Sequence, residues 1–221
     1  NDATAPTSTS ISGSVLTAFN KSGWATVNLD ATGNNSGTSN VSRQAVYVAS
    51  TNAKNVRTYA QYFSSYGDLA EWPMFNHYNN NFKWEYMPST GHPDGNGCIR
   101  YRSFDARTNP ERYTQPQDGD FDDIYTPAFD MTTLSSTNVN LNFFTSGCIT
   151  SASSYGDSLQ IFASTNCGDT WVRIAGLTYA DIINNIFQNT EFAPTKASQW
   201  KAQTVSVPTS LRTNRTFFRF R

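Results

Sequence analysis

Residues 157–171, DSLQIFASTNCGDTW, decide the fold. Leu159, Ile161 and Ala163 recur at every second position, the period of a strand with one buried face, and Phe162 points the other way. Residues 164–170, STNCGDT, are turn formers: Asn and Asp bond their own backbone, and Gly takes positive φ without a steric cost. Trp171 opens a return strand. The stretch therefore reads as a β-hairpin.

The spacing Ser-x-Asn-x-Gly-x-Thr-Trp from Ser164 to Trp171 resembles the Asp-box hairpin of sialidases and other secreted β proteins. That resemblance implies a polar side chain that ties the turn and a tryptophan packed beneath it. Both roles are structural.

Working outward, more strands follow the same period. Val139, Leu141 and Phe143 alternate with polar residues, residues 124–129 (IYTPAF) enter another strand, and residues 200–207 form a strand that Pro208 ends. Thr216, Phe218 and Phe220 alternate with Phe217, Arg219 and Arg221. Upstream, Phe82, Trp84 and Tyr86 alternate with Lys83 and Glu85, and Ile99, Tyr101 and Ser103 alternate with Arg100, Arg102 and Phe104. One segment breaks the period: Leu177, Ala180, Ile183, Ile186 and Phe187 lie three or four apart and predict a short amphipathic helix inserted on a β scaffold.

The first 22 residues are mainly Ser, Thr, Ala, Asn and Gly and read as a linker. Ala25, Val27 and Leu29 then alternate with polar residues, 31–40 is a polar turn, and 45–48 is a second strand. With 50–57 as a polar linker, the expected division is a hairpin segment over 1–52 and a larger β domain over 53–221.

The chain carries 17 acidic and 16 basic residues, a net charge of −1, which provides no long-range field to recruit nucleic acid or an anionic membrane. Neither partner is expected, and no apolar run is long enough to insert in a bilayer. Only 15% of residues are charged while 14% are aromatic, the balance of a secreted β protein. The start lacks the layout of a signal peptide, so a secreted location implies a longer parent protein.

Candidate sites are few. Residues 72–81, WPMFNHYNNN, form a loop whose Trp72, Phe75 and Tyr78 either fill the core or offer rings to a sugar. Asp118, Asp120, Asp122 and Asp123, within DGDFDD, either make a solvated acidic loop or supply oxygens to a structural calcium; EF-hand spacing and a closing glutamate are lacking. Cys148 and Cys167 are the candidate disulfide, with Cys98 left over, and three reduced thiols are the alternative.

Neither His77 nor His92 belongs to a His-Glu-x-x-His helix, and no Gly-x-Ser-x-Gly elbow is present. Carboxylates crowded on one loop do not straddle a sugar ring as a glycosidase requires. The chain is expected to be non-catalytic, with exposed loop histidines.

Together, Tyr59 with Phe63, Trp84, IYTPAFDMTTL (124–134), NLNFF (140–144), the opening hairpin, WKAQTVSVP and the final FFRFR resemble the MAM-like, or choice-of-anchor, jelly-roll modules of secreted bacterial proteins. GWATVNLDATGNNSGTSNVSRQAVYV resembles the last strands of a PKD-type immunoglobulin-like module. The order is similar to regions following the catalytic domain of pappalysin-type metalloproteases and to stalks of type IX secreted adhesins.

The resemblance implies an all-β jelly-roll sandwich and an accessory or adhesion role in a secreted or cell-surface multidomain protein. Its partners would be neighbouring domains and a glycan or surface protein. A carbohydrate-binding module, or the C-terminal region of a secreted metalloprotease, is the alternative. Two features depart from the family: Ser64 stands where a glutamate that can join a calcium site is usual, and the family's further strand of the form Gly-Asn-Asn-x-Tyr-x-Asp does not follow FFRFR, leaving the jelly roll without its expected last strand.

Overall fold

Where apolar and polar side chains alternate the chain is extended, and the fold is all-β with a few short helical turns. This computed structural model describes residues 19, 21–32, 39–57, 59–92, 97–103, 119–134, 138–149, 157–184, 186–188 and 190–221; Asp118 and the loop before it lie outside them. Two compact units divide the chain, Asn1–Asn52 and Ala53–Arg221.

In the first unit β1 (Gly23–Thr32) pairs antiparallel with β2 (Ser39–Val48), from Gly23 opposite Val48 to Thr32 opposite Ser39. The strands run further than expected, because Ala31, Thr32, Ser39 and Asn40 pair instead of turning. Trp24 and Tyr47 are cross-strand partners, with rings edge-to-face at 5.5 Å.

The second unit holds β3 (Lys54–Asn55), β4 (Met74–Phe75), β5 (Trp84–Met87), β6 (Cys98–Tyr101), β7 (Asp123–Tyr125), β8 (Phe129–Asp130), β9 (Asn140–Thr145), β10 (Leu159–Ser164), β11 (Val172–Leu177), β12 (Lys201–Ser206) and β13 (Phe217–Phe220). Five of them make an antiparallel sheet in the order β11-β10-β13-β7-β4. β9 pairs with β12, β5 with β6, and β3 runs parallel to β8.

One face of the five-stranded sheet is the core face. Ala163 and Phe218 meet Phe129, Met131, Val139, Val207 and Leu211, with Leu141 of β9 and Ile174 of β11 packed against them. Phe143 of β9 stands edge-on to Phe220 at 5.6 Å. Fully burying a side chain such as Phe218 or Ile161 contributes about 1.5–3 kcal/mol. Ile124, Leu69 and Trp72 form a second cluster beside it. The buried threonines are satisfied: Thr126 Oγ1 accepts the Phe218 N–H at 3.0 Å, and Thr216 Oγ1 donates to Leu211 O at 2.6 Å.

The β10–β11 connection shows how its sequence closes a turn. Ser164 Oγ accepts the Gly168 N–H at 2.9 Å, and Asn166 Oδ1 accepts the Thr170 N–H at 3.0 Å. Asp169 N–H reaches Asn166 O at 3.3 Å, and both residues between have positive φ, +60° at Cys167 and +90° at Gly168. A primed turn requires this handedness. Trp171 packs under the turn: a Cβ on Gly168 would lie 3.3 Å from its ring. Trp171 itself precedes the return strand, which begins at Val172.

Two expectations need correction. The helix is only α1 (Tyr179–Ile182), capped by Asp181 Oδ2, which accepts from Thr178 N–H at 2.9 Å and Oγ1 at 2.8 Å. Ile183 is already extended, and Ile186 and Phe187 pair with Ile149 instead; backbone pairing overrides the apolar spacing. The Cys148–Cys167 disulfide is not made, since all three cysteines are free. Cys148 follows β9, in the β9–β12 pair, whereas Cys167 tips the β10–β11 hairpin of the other sheet.

Cys167 holds a left-handed conformation that costs a β-carbon residue about 1 kcal/mol. Cys167→Asn creates the preferred Asn-Gly pair and is expected to raise stability by about 0.5–1 kcal/mol in urea denaturation. An unchanged or lower midpoint would contradict this assignment of strain.

Candidate functional site

The alternation that sends Phe218 and Phe220 inward sends Arg219 and Arg221 to the opposite face of the sheet. Register fixes their neighbours. Arg219 lies opposite Tyr125 on one side and Phe162 on the other, while Phe75 lies opposite Asp123.

Asp123 is the centre of this face, with its side chain only 1% exposed. Arg221 clamps it with two hydrogen bonds, Nε to Oδ1 at 2.8 Å and Nη2 to Oδ2 at 2.9 Å. His77 Nε2 meets Oδ2 at 2.9 Å and the Tyr125 hydroxyl donates to Oδ2 at 3.1 Å. Arg219 Nε stands off at 3.8 Å, an ion pair without a hydrogen bond. Burial alone would raise the carboxyl's pKa, but the Arg221 and His77 contacts outweigh it and hold Asp123 below the usual range. Burial, with the Asp123 charge second, pushes the Tyr125 phenol up to about 12.

Rings and cations alternate around this carboxylate. The Arg221 guanidinium lies 3.6 Å over Phe121, and that of Arg219 lies between Phe162 at 4.3 Å and Trp171 at 4.7 Å. Tyr125 touches Trp171 at 5.5 Å and Phe75 at 5.2 Å, and Tyr78 stands edge-on to Phe121 at 5.8 Å. Phe75, Phe121, Tyr125, Phe162 and Trp171 all remain half-buried. They form a stacked layer on a solvent-facing side of the sheet.

Asp122 has the opposite character. It is 2% exposed; Oδ1 accepts the His77 N–H at 2.8 Å, its carbonyl accepts Trp84 Nε1–H at 3.0 Å, and Oδ2 has no partner. Burial raises its pKa. Asp122, Asp157 and Asp120 all act on Tyr101, whose phenol burial and these charges push up to about 12.

The sites expected from sequence separate. Phe75 and Tyr78 lie on the ring layer, but Trp72 is a core residue, 9% exposed, with Nε1–H donated to Tyr59 Oη at 3.0 Å and its ring edge-on to Phe63 at 5.1 Å. Trp72 cannot serve as a platform because the residues after it enter β4 and draw it inside. Asp123, expected as a calcium ligand, has both oxygens occupied by Arg221, His77 and Tyr125. Among the described residues no group of three or more His, Cys, Asp or Glu side chains is arranged to hold a metal ion.

His77 is the exposed loop histidine expected, although it is tied to Asp123, whereas His92 is half-buried against Phe144 at 4.5 Å and Trp200 at 5.2 Å. Sequence alone assigns no site role to Arg219, Arg221, Phe121, Tyr125, Phe162 or Trp171. The signal was present in FFRFR: two inward phenylalanines force two outward arginines. No family model, curated protein or solved structure matches the chain. Among the described residues no helix is long and apolar enough to cross a membrane.

Removing the Asp123 carboxylate strands buried cations, so Asp123→Ala is expected to cost about 3–5 kcal/mol. The neighbouring carboxylates have opposite pH signs. Asp123 is depressed when folded, so its contribution is present above about pH 4 and is lost as pH falls through the lower folded value. Asp122 is raised when folded, so its penalty is absent below about pH 4 and sets in as pH rises through the higher folded value. Asp122→Asn should therefore raise the urea midpoint at pH 7, with the gain vanishing near pH 3 by the same linkage. A loss of stability at pH 7 would count against an unpartnered Oδ2.

Proposed function

We propose that the chain is a non-catalytic binding module of a secreted or cell-surface multidomain protein, a jelly-roll sandwich whose ring-and-arginine face holds a glycan. The observation that carries this reading is the Arg219 guanidinium fixed between Phe162 and Trp171, which keeps two half-exposed rings side by side on the face. Flat apolar rings beside fixed donors suit a sugar, which offers CH faces and hydroxyls. In support of the sandwich, the β9–β12 pair packs Leu141 and Phe143 towards the core face of the five-stranded sheet.

A binding role fits the chemistry of Asp123 better than a catalytic one. The Asp123 carboxylate is 1% exposed and bonded by Arg221, His77 and Tyr125, which puts it out of reach of a substrate proton. The composition, poor in charge and rich in aromatics, supports a secreted setting.

A glycan array on the 221-residue chain is expected to return a retained ligand. Phe162→Ala should weaken that ligand about tenfold, the scale of one aromatic contact, with an unchanged near-UV spectrum. Tyr66→Ala, at a 74%-exposed ring elsewhere, should leave it unchanged. Loss with Tyr66→Ala and not with Phe162→Ala would move the site, and an empty array would remove the glycan reading.

A further inference from the structure

We infer that Gln160 and Arg173 are the polar readers of this face, and that they take adjacent secondary hydroxyls of an uncharged pyranose seated on Phe162; this rests on the glycan-binding reading above. Rings alone do not choose among sugars, so such a face needs a donor and an acceptor within reach of a ring. The arginines of β13 do not supply them. Arg221 is taken up by Asp123, and Arg219, 11% exposed, lies between Phe162 and Trp171.

The β10–β11 pair does. Arg173 lies opposite Phe162 and Gly176 lies opposite Gln160, and between them β11 carries one extra residue, Ile174, where the register shifts. On a regular strand two positions three apart face opposite ways. The bulge turns Ile174 to the core and puts Arg173 and Gly176 on the same, outer side. There the Arg173 guanidinium fills the place of the side chain that Gly176 lacks: a Cβ at Gly176 would overlap Arg173 Nη2 and come within 2.8 Å of Gln160 Oε1. Ser158 Oγ accepts the Gln160 amide N–H at 3.1 Å, which sets the amide with Oε1 towards Gly176. Arg173 is exposed, and among the described residues no carboxylate or carbonyl holds its guanidinium. A donor fork and a carbonyl acceptor therefore sit side by side on the outer face.

Two hydroxyls on neighbouring carbons match this pair, since a hydroxyl both donates and accepts. Phe162 and Gln160 are two residues apart on one strand, about 7 Å along it, so a single pyranose covers the ring and reaches the amide. The sugar is uncharged. The arginines of β11 and β13 are matched in number by Asp122, Asp123 and Asp157 on the neighbouring segments, which leaves no charge excess to select an anion.

Titration calorimetry on the whole chain with cellotetraose, mannotetraose, xylotetraose and any neutral glycan the array retains, each also methylated on its secondary hydroxyls, tests the inference. At least one native sugar is expected to bind about tenfold more tightly than its methylated form, with an affinity unchanged between low and high salt. Arg173→Ala and Gln160→Ala should each remove that difference, and together do no more than either alone, because they hold one pair of hydroxyls. Gly176→Ala keeps every donor but displaces the guanidinium, so it should weaken the native sugar and leave the methylated form alone. Arg173→Lys, which keeps the charge without the fork, should behave as Arg173→Ala does. Unchanged near-UV spectra serve as the check on folding. Binding that survives the Arg173 and Gln160 substitutions but falls with Phe162→Ala would overturn the assignment and leave the glycan reading standing. So would tetragalacturonate bound more tightly than every neutral sugar. No binding to any probe, with an empty array, would remove both.

Discussion

A carboxylate with 1% exposure must be matched by donors or it unfolds the structure around it, and Asp123 is matched by strands far apart in sequence. Arg221 comes from the end of β13, His77 from just after β4, and Tyr125 from β7 itself. These strands are adjacent in the sheet order, so the carboxylate locks their register. A one-residue slip of β13 would turn Arg219 and Arg221 into the core and Phe218 and Phe220 out of it.

The same constraint shapes the surface. Once Arg221 is held by Asp123, its guanidinium has one flat side left for Phe121; Arg219, 3.8 Å from the same carboxylate, stacks between Phe162 and Trp171. Planar guanidinium makes this arrangement possible where an ammonium would not. Phe121, Phe162 and Trp171 are thereby held in place on the face by the guanidinium groups. Trp171 is anchored as well by the turn at Gly168, under which it packs.

Much of the strand content was legible because alternation is local. Leu159, Ile161 and Ala163 need only their own neighbours to reveal a strand, and Ser164 to Thr170 need only turn chemistry to reveal a hairpin. What escaped was set by distance along the chain. The bond between Asp123 and Arg221 joins residues 98 positions apart, so Asp123 read as one more member of an acidic loop. Loop-forming neighbours leave Trp72 open between core and platform in the sequence, and Tyr59 and Phe63, which enclose it, decide for the core. The apolar spacing after Leu177 promised a helix, but Ile186 and Phe187 found a strand partner in Ile149. Of the face itself the sequence points only to Phe75 and Tyr78; the arginines that organise it show solely as the alternate positions of FFRFR.

The most direct measurement is amide chemical-shift mapping of the whole chain titrated with the saccharide retained on the glycan array. The expected result is a contiguous set of shifts at Phe75, Phe121, Tyr125 and Phe162, with Trp171 Nε1–H among them. Shifts confined to Tyr62 and Tyr66, to the Asn142–Phe144 surface of β9, or spread evenly over the chain would contradict a binding face organised around Asp123.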